Sequence, residues 1–174
     1  NRQYQTILQD EVDQFWNQQQ DTPILYSDFK RLPFMTKCIM ETLRLWTPLP
    51  NGTFRELIED DYIHGLNDEK VPLSKGTFIQ IPNWSRHMNP SLWGEDVDIF
   101  NPYREFKDAE LWDNSIINTY NPSTERFSPF TYGPRDCIGK NFSQIEMRLI
   151  LLQLLHKFNF KLTEPQLTTY TTEN

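Results

Sequence analysis

The decapeptide Phe130-Thr131-Tyr132-Gly133-Pro134-Arg135-Asp136-Cys137-Ile138-Gly139 constrains this chain more than any other stretch. It reads as a tight loop with a glycine on each side of one cysteine, and an apolar run that predicts a helix over 140–158 follows at once. Amide N–H groups in the first turn of that helix and the nearby Arg135 favour a thiolate at Cys137, and a thiolate is a ready metal ligand. Gly133 and Gly139 allow a sharp turn or the close approach of a flat ligand, and Phe130 offers an aromatic wall. The plainer alternative is a cysteine packed in a glycine turn, the commoner fate of a lone cysteine.

Composition narrows the class. The chain has 174 residues, enough for one sizeable core, and 14% of them are aromatic, which argues for a packed interior over disorder. A net charge of −7 without a dominant basic run gives no reason to expect a nucleic-acid partner. Two cysteines, Cys38 and Cys137, are too few for a disulfide framework and have no CxxC spacing, which points to a reducing compartment. The longest apolar run, residues 149–152, is far below the roughly 20 residues of a membrane-spanning helix.

Taken in order, residues 1–19 place Tyr4, Ile7, Leu8, Val12, Phe15 and Trp16 on one side of a 3.6-residue period and predict an amphipathic helix. Tyr26 to Pro33 reads as a short helical turn stopped by the proline, and a second helix is expected over 34–46. It carries Glu41 and Arg44, three apart and so on one face; in isolation such a pair is a surface ion pair worth under about 1 kcal/mol. Residues 51–83 change to short β-type runs with turn signals and predict a small mixed sheet, so the fold class is mainly helical α+β. Asn51-Gly52 reads as a flexible pair. Residues 84–129 read as an irregular meander, and the helix over 140–158 is apolar on nearly every side, as a central core helix would be.

The cysteine loop carries all five fixed positions of the pattern FxxGxRxCxG, and Glu41-Thr42-Leu43-Arg44-Leu45-Trp46-Thr47-Pro48 is similar to ETLRLxPP, with Leu49 in place of the second proline. On these motifs the chain resembles a haem-thiolate monooxygenase of the cytochrome P-450 family, of the eukaryotic microsomal type, and in particular the C-terminal part of that fold. The resemblance implies haem b as cofactor, with Cys137 as axial iron ligand, Arg135 on a propionate, Phe130 near the sulfur, and Gly133 and Gly139 giving room. It implies a second propionate arginine at Arg55, and sets His87, in a stretch similar to HRDPxxWG, as a propionate or backbone donor beside the plainer reading of a buried histidine. Glu41, Arg44 and Arg104 are implied to form a structural network; Arg104 lies in a segment similar to FxPERF, from which Tyr103 and Glu105 depart. Pro50, Asn51, Gly52, Thr53 and Phe54 are implied to line the substrate pocket.

The expected reaction is insertion of one oxygen atom from O2 into a small lipophilic substrate. Electrons would come from NADPH-cytochrome reductase or a similar donor, drawn to positive charge at Lys140, Arg135 and Arg104 on the cysteine side. The expected location is the endoplasmic reticulum membrane, cytosolic face, through an N-terminal anchor outside these residues. The acid–threonine motif of the family's oxygen-activating helix is not in this sequence, so the chain reads as a single partial domain of a longer protein. A truncated remnant without turnover, or a haem-binding module, stays open as the alternative.

Overall fold

The computed structural model describes residues 2–19, 22–107, 124, 126–131 and 135–163. The first helix, α1 (Arg2–Gln19), buries Val12 and Phe15 and lays Leu8 and Trp16 partly against the same core. A 3-10 turn (Tyr26–Arg31) follows, where the Asp28 carboxylate accepts the Leu25 N–H at 2.8 Å. It leads into α2 (Pro33–Leu45), whose proline occupies the first turn, where its missing N–H costs nothing.

The residue before α2 is Leu32, which has no polar side chain to cap the helix. The neighbouring helix supplies the cap instead. Glu11 of α1 accepts the N–H groups of Phe34 at 2.7 Å and Met35 at 2.8 Å, satisfying two donors that a helix start leaves orphaned. Burial pushes the Glu11 carboxyl above its ordinary range, and these two amide bonds pull against that rise. Around this joint, Met35, Ile39, Met40 and Leu43 of α2 meet Val12 and Phe15, with Phe29, Leu32, Trp93, Val97, Phe106, Phe127 and Leu152 completing the core.

The strands are β1 (Thr53–Glu56), β2 (Asp61–His64), β3 (Lys70–Leu73) and β4 (Phe78–Ile81). The α+β class stands as expected, and the sheet read as mixed is two antiparallel ladders among the described residues: β1 with β4, and β2 with β3. Chain length decides the direction. Short connections can return a strand only antiparallel, and the β2–β3 hairpin, closed by Gly65 N–H on the Glu69 carbonyl at 2.8 Å, lies in sequence between β1 and β4. Two short helices, α3 (Asn83–His87) and α4 (Pro90–Trp93), follow. Most of the expected meander, residues 108–123 and 125, lies outside the described residues.

The last helix is α5 (Lys140–Lys157). Among the described residues it buries Lys140, Gln144, Arg148 and Leu152, one stripe at four-residue spacing, while Phe142, Leu149, Ile150 and Leu154 are exposed. Within the described residues α5 packs along that stripe, with Ile145, Met147, Leu151 and Leu155 partly buried beside it, and meets α1 and the start of α2. The Trp16 indole N–H donates to the Leu152 carbonyl at 3.3 Å, and Arg148 donates to Thr36 Oγ1 at 3.2 Å. No helix among the described residues is long and apolar enough to cross a membrane.

The cross-helix cap sets a test. Glu11→Ala should lower unfolding stability by about 1–3 kcal/mol, because two buried amides lose their acceptor, and Glu11→Gln, which keeps one carbonyl oxygen, should lose less. Denaturant midpoints at constant slope measure both.

Candidate functional site

The site is built outward from α2. Glu41 and Arg44 are both fully buried, and their groups meet in two parallel bonds of 2.8 Å, Nε to Oε2 and Nη2 to Oε1. The remaining Arg44 nitrogen, Nη1, donates to the carbonyls of Val97 at 2.6 Å and His87 at 3.0 Å. Glu41 Oε1 also accepts from Arg104 Nε at 3.0 Å and from the Asn101 N–H at 3.1 Å. One buried carboxylate thus faces two guanidinium groups. The balancing charge is Asp96, which receives Arg104 at 3.0 and 3.2 Å; the hydrogen bond from Arg104 holds its carboxyl below the ordinary range. Arg104 further donates to the carbonyls of Trp93, Asp96 and Ile99, so it ties the segment 93–104 into one knot.

His87 joins this network to the cysteine loop. Its ring is fully buried; Nε2 accepts the Ser128 N–H at 3.0 Å, and the ring packs on Phe127 at 5.3 Å between centroids. So enclosed, the ring matches the plainer expectation of a buried, hydrogen-bonded histidine. Burial, with Arg86 and Arg44 nearby, lowers its pKa from 6.5 to about 4. Beside it, Arg86 Nη2 donates to Ser128 Oγ at 2.6 Å and to Asn83 Oδ1 at 2.7 Å.

Ser128 opens a turn closed by the Thr131 N–H on the Ser128 carbonyl at 3.0 Å. Thr131 has φ +66°, a left-handed conformation unusual for a β-branched residue, which only surrounding structure can hold. The Phe130 carbonyl accepts the Cys137 N–H at 3.0 Å, and the Cys137 carbonyl accepts the Lys140 N–H at 3.2 Å as α5 begins. The Cys137 thiol is free and exposed. A side chain added to Gly139 would place its Cβ 3.7 Å from the sulfur, so the glycine leaves that flank bare. Phe130 is half-buried against the core and Arg135 is exposed; Gly133 lies outside the described residues.

Of the three cations expected to face a redox partner, only Arg135 is exposed. Lys140 is buried and bonded to Asp136 at 2.6 Å, and Arg104 is committed to Glu41 and Asp96. Arg55, on β1, is exposed, and among the described residues its guanidinium donates to the carbonyl of its neighbour Phe54, at 2.8 Å.

The turn before β1 corrects another expectation. Asn51-Gly52 is pinned, not flexible: Gly52 N–H bonds Leu49, and the carbonyls of Leu49, Pro50 and Asn51 accept from Asn83, Trp84 and Gln80. Gly52 has φ +66°, and a Cβ there would collide with the Ile81 carbonyl oxygen, so only glycine fits. Thr53 and Phe54 leave this turn on β1, with Phe54 exposed and Pro50 and Asn51 on the surface.

A family model described as Cytochrome P450 matches residues 1–173. The chain belongs to the cytochrome P-450 family. It is 32% identical over 160 residues to a Caenorhabditis elegans protein named as cytochrome P-450 CYP13A6, covering 92% of this chain and 28% of the relative. It is 34% identical over 155 residues to human cytochrome P-450 4F8 (89% of this chain, 27% of the relative), and 33% identical over 167 residues to an Arabidopsis thaliana cytokinin hydroxylase (94% and 28%). The chain therefore spans little more than a quarter of the length of these relatives. As a family, cytochromes P-450 are haem-thiolate monooxygenases. This cytochrome P-450 chain fits that group: a free, exposed thiol stands at the head of a long helix, with no side chain on its Gly139 flank.

Sequence reasoning missed Asp96, Ser128, Arg86 and the Asn101 amide. Each is a partner across a long stretch of chain with no local signature; only Asp96, eight residues from Arg104, lies in the same segment.

Two outcomes follow. Glu41→Ala leaves two buried cations without their carboxylate and should cost about 3–5 kcal/mol of unfolding stability, measured by denaturation at low protein concentration. For His87, the unfolded chain binds the proton first as pH falls, so its contribution is complete above about pH 6.5 and is lost towards pH 4. His87→Gln should flatten stability over that window, removing a pH-dependent part of about 3 kcal/mol.

Proposed function

We propose that this chain forms the thiolate-bearing side of a haem monooxygenase that inserts one oxygen atom from O2 into a lipophilic organic substrate. The observation that carries the reading is the exposed thiol of Cys137, whose backbone N–H donates to the Phe130 carbonyl just before α5, in a turn fastened through Ser128 to a buried ion network. In this reading Cys137 Sγ is the iron ligand of haem b, and the bare flank at Gly139, with Gly133, lets the flat group approach the sulfur. Arg135 and Arg55, both exposed, take the two propionates, and Phe130 shields the sulfur from the core side. Haem bound there would supply the activation of dioxygen, with Cys137 as the thiolate that would hold its iron.

The protein's own residues position and exclude. Glu41, Arg44 and Arg104 touch no substrate in this scheme; they hold α2, the segment 93–104 and the cysteine loop in one frame. The pinned turn from Pro50 to Phe54 presents an apolar side chain, Phe54, from a backbone that cannot yield, which suits the wall of a substrate pocket. The relatives are about three times as long as this chain, and in this reading the opposite wall, with its acid–threonine pair, is not among these 174 residues. Electron supply from NADPH-cytochrome reductase or a similar donor, and attachment at the endoplasmic reticulum membrane, belong to the same reading; Arg135 is the exposed cation nearest the cysteine for such a donor.

The difference spectrum of the reduced, carbon monoxide-treated protein tests this reading. A Soret band at the long wavelength of thiolate ligation is expected, and Cys137→Ser should abolish it. A band that survives the substitution would remove Cys137 as the ligand.

A further inference from the structure

Cys137 is held by residues that do not touch it. Ser128, fully buried, has all three of its polar groups committed: its N–H to His87 Nε2 at 3.0 Å, its hydroxyl to Arg86 Nη2 at 2.6 Å, and its carbonyl to the Thr131 N–H at 3.0 Å. That turn contains Phe130, whose carbonyl accepts the Cys137 N–H. His87 is gripped at its other end, since its own carbonyl accepts from Arg44 Nη1 at 3.0 Å. Arg86 is fixed likewise: its carbonyl accepts the Trp93 indole N–H at 3.0 Å, and its guanidinium also bonds Asn83. Hydrogen bonds joined by the short turn 128–131 therefore link the Glu41–Arg44 pair through His87 and Ser128 to the backbone of the cysteine.

We infer that Arg86 and His87 are positioning residues for Cys137: together they clamp Ser128, and with it the turn that sets where the sulfur stands. The left-handed Thr131 lies inside the clamped turn, and the clamp is what holds that conformation. The spectroscopic part of the test rests on the haem-thiolate reading; the exchange part does not.

The comparison is His87→Gln, whose side-chain oxygen can still accept the Ser128 N–H, against His87→Leu, which cannot, in the full-length haem-loaded protein. At equal haem content, the ratio of the long-wavelength thiolate band to the shorter-wavelength band in the reduced carbon monoxide complex should fall roughly five-fold or more in His87→Leu, the factor for one lost buried hydrogen bond, and stay near wild type in His87→Gln. Amide hydrogen exchange of the peptide containing Cys137 should accelerate by a similar factor in His87→Leu alone, with α2 peptides unchanged. Arg86→Met, which removes the guanidinium bonds to Ser128, Asn83 and the Pro82 carbonyl, should act in the same direction and serves where His87→Leu does not fold.

A His87→Leu protein that loses haem content while its loaded fraction keeps the wild-type ratio and exchange rate would overturn the clamp, as would a His87→Gln protein that falls equally far. A wild-type protein without the thiolate band would refute the haem reading instead, and the exchange measurement would still decide the clamp.

Discussion

Everything in this chain is arranged about a single buried carboxylate. Glu41 sits in the interior with four donors on its two oxygens, three from guanidinium groups and one from the Asn101 amide. Such a cluster gains little net stability over an apolar replacement, because taking charges out of water offsets most of their attraction. Its effect is on geometry. Arg44 and Arg104 spend their remaining donors on five backbone carbonyls between residues 87 and 99, segments with little regular structure of their own. Irregular backbone buried beside a core needs such partners, and two arginines supply more donors in fixed directions than any other pair could.

The aromatic residues act in concert with this frame. Trp93 lies between the guanidinium groups of Arg44 and Arg126, at 5.4 and 4.1 Å from its ring centre, while its edge meets Phe106 and Phe127. Phe127 in turn carries the His87 ring. The chain entering the cysteine loop is thus seated on an aromatic floor before it reaches Ser128, and the polar clamp needs only to fix its register.

How much of this was legible in the sequence depended on the range of the interaction. α1 and α2 were readable because their apolar period is local, and the α2 face gave Glu41 and Arg44 because residues three apart must share a side. The cysteine loop was readable because its chemistry is spelled in ten consecutive residues. Glu11 as the cap of α2 was not, since the donors it meets are more than twenty residues away on another helix. The sequence left His87 between a propionate or backbone donor and a buried histidine, because the residue that bonds its ring, Ser128, gives no sign of doing so in its own surroundings. Which stripe α5 buries among the described residues was not legible for a related reason: composition says how apolar a helix is, and only its neighbours say which stripe is covered.

The fixed turn at Gly52 limits how relatives of this chain can differ there. A side chain at that position runs into the Ile81 carbonyl, and the backbone on either side is fastened to β4 and α3, so neither substitution at 52 nor a shift of the loop is cheap. Diversity is channelled into the flanking side chains, at Asn51, Thr53 and Phe54, which project from a backbone of constant shape. Change in that corner of the molecule would exchange the side chains on display while leaving the frame behind them alone.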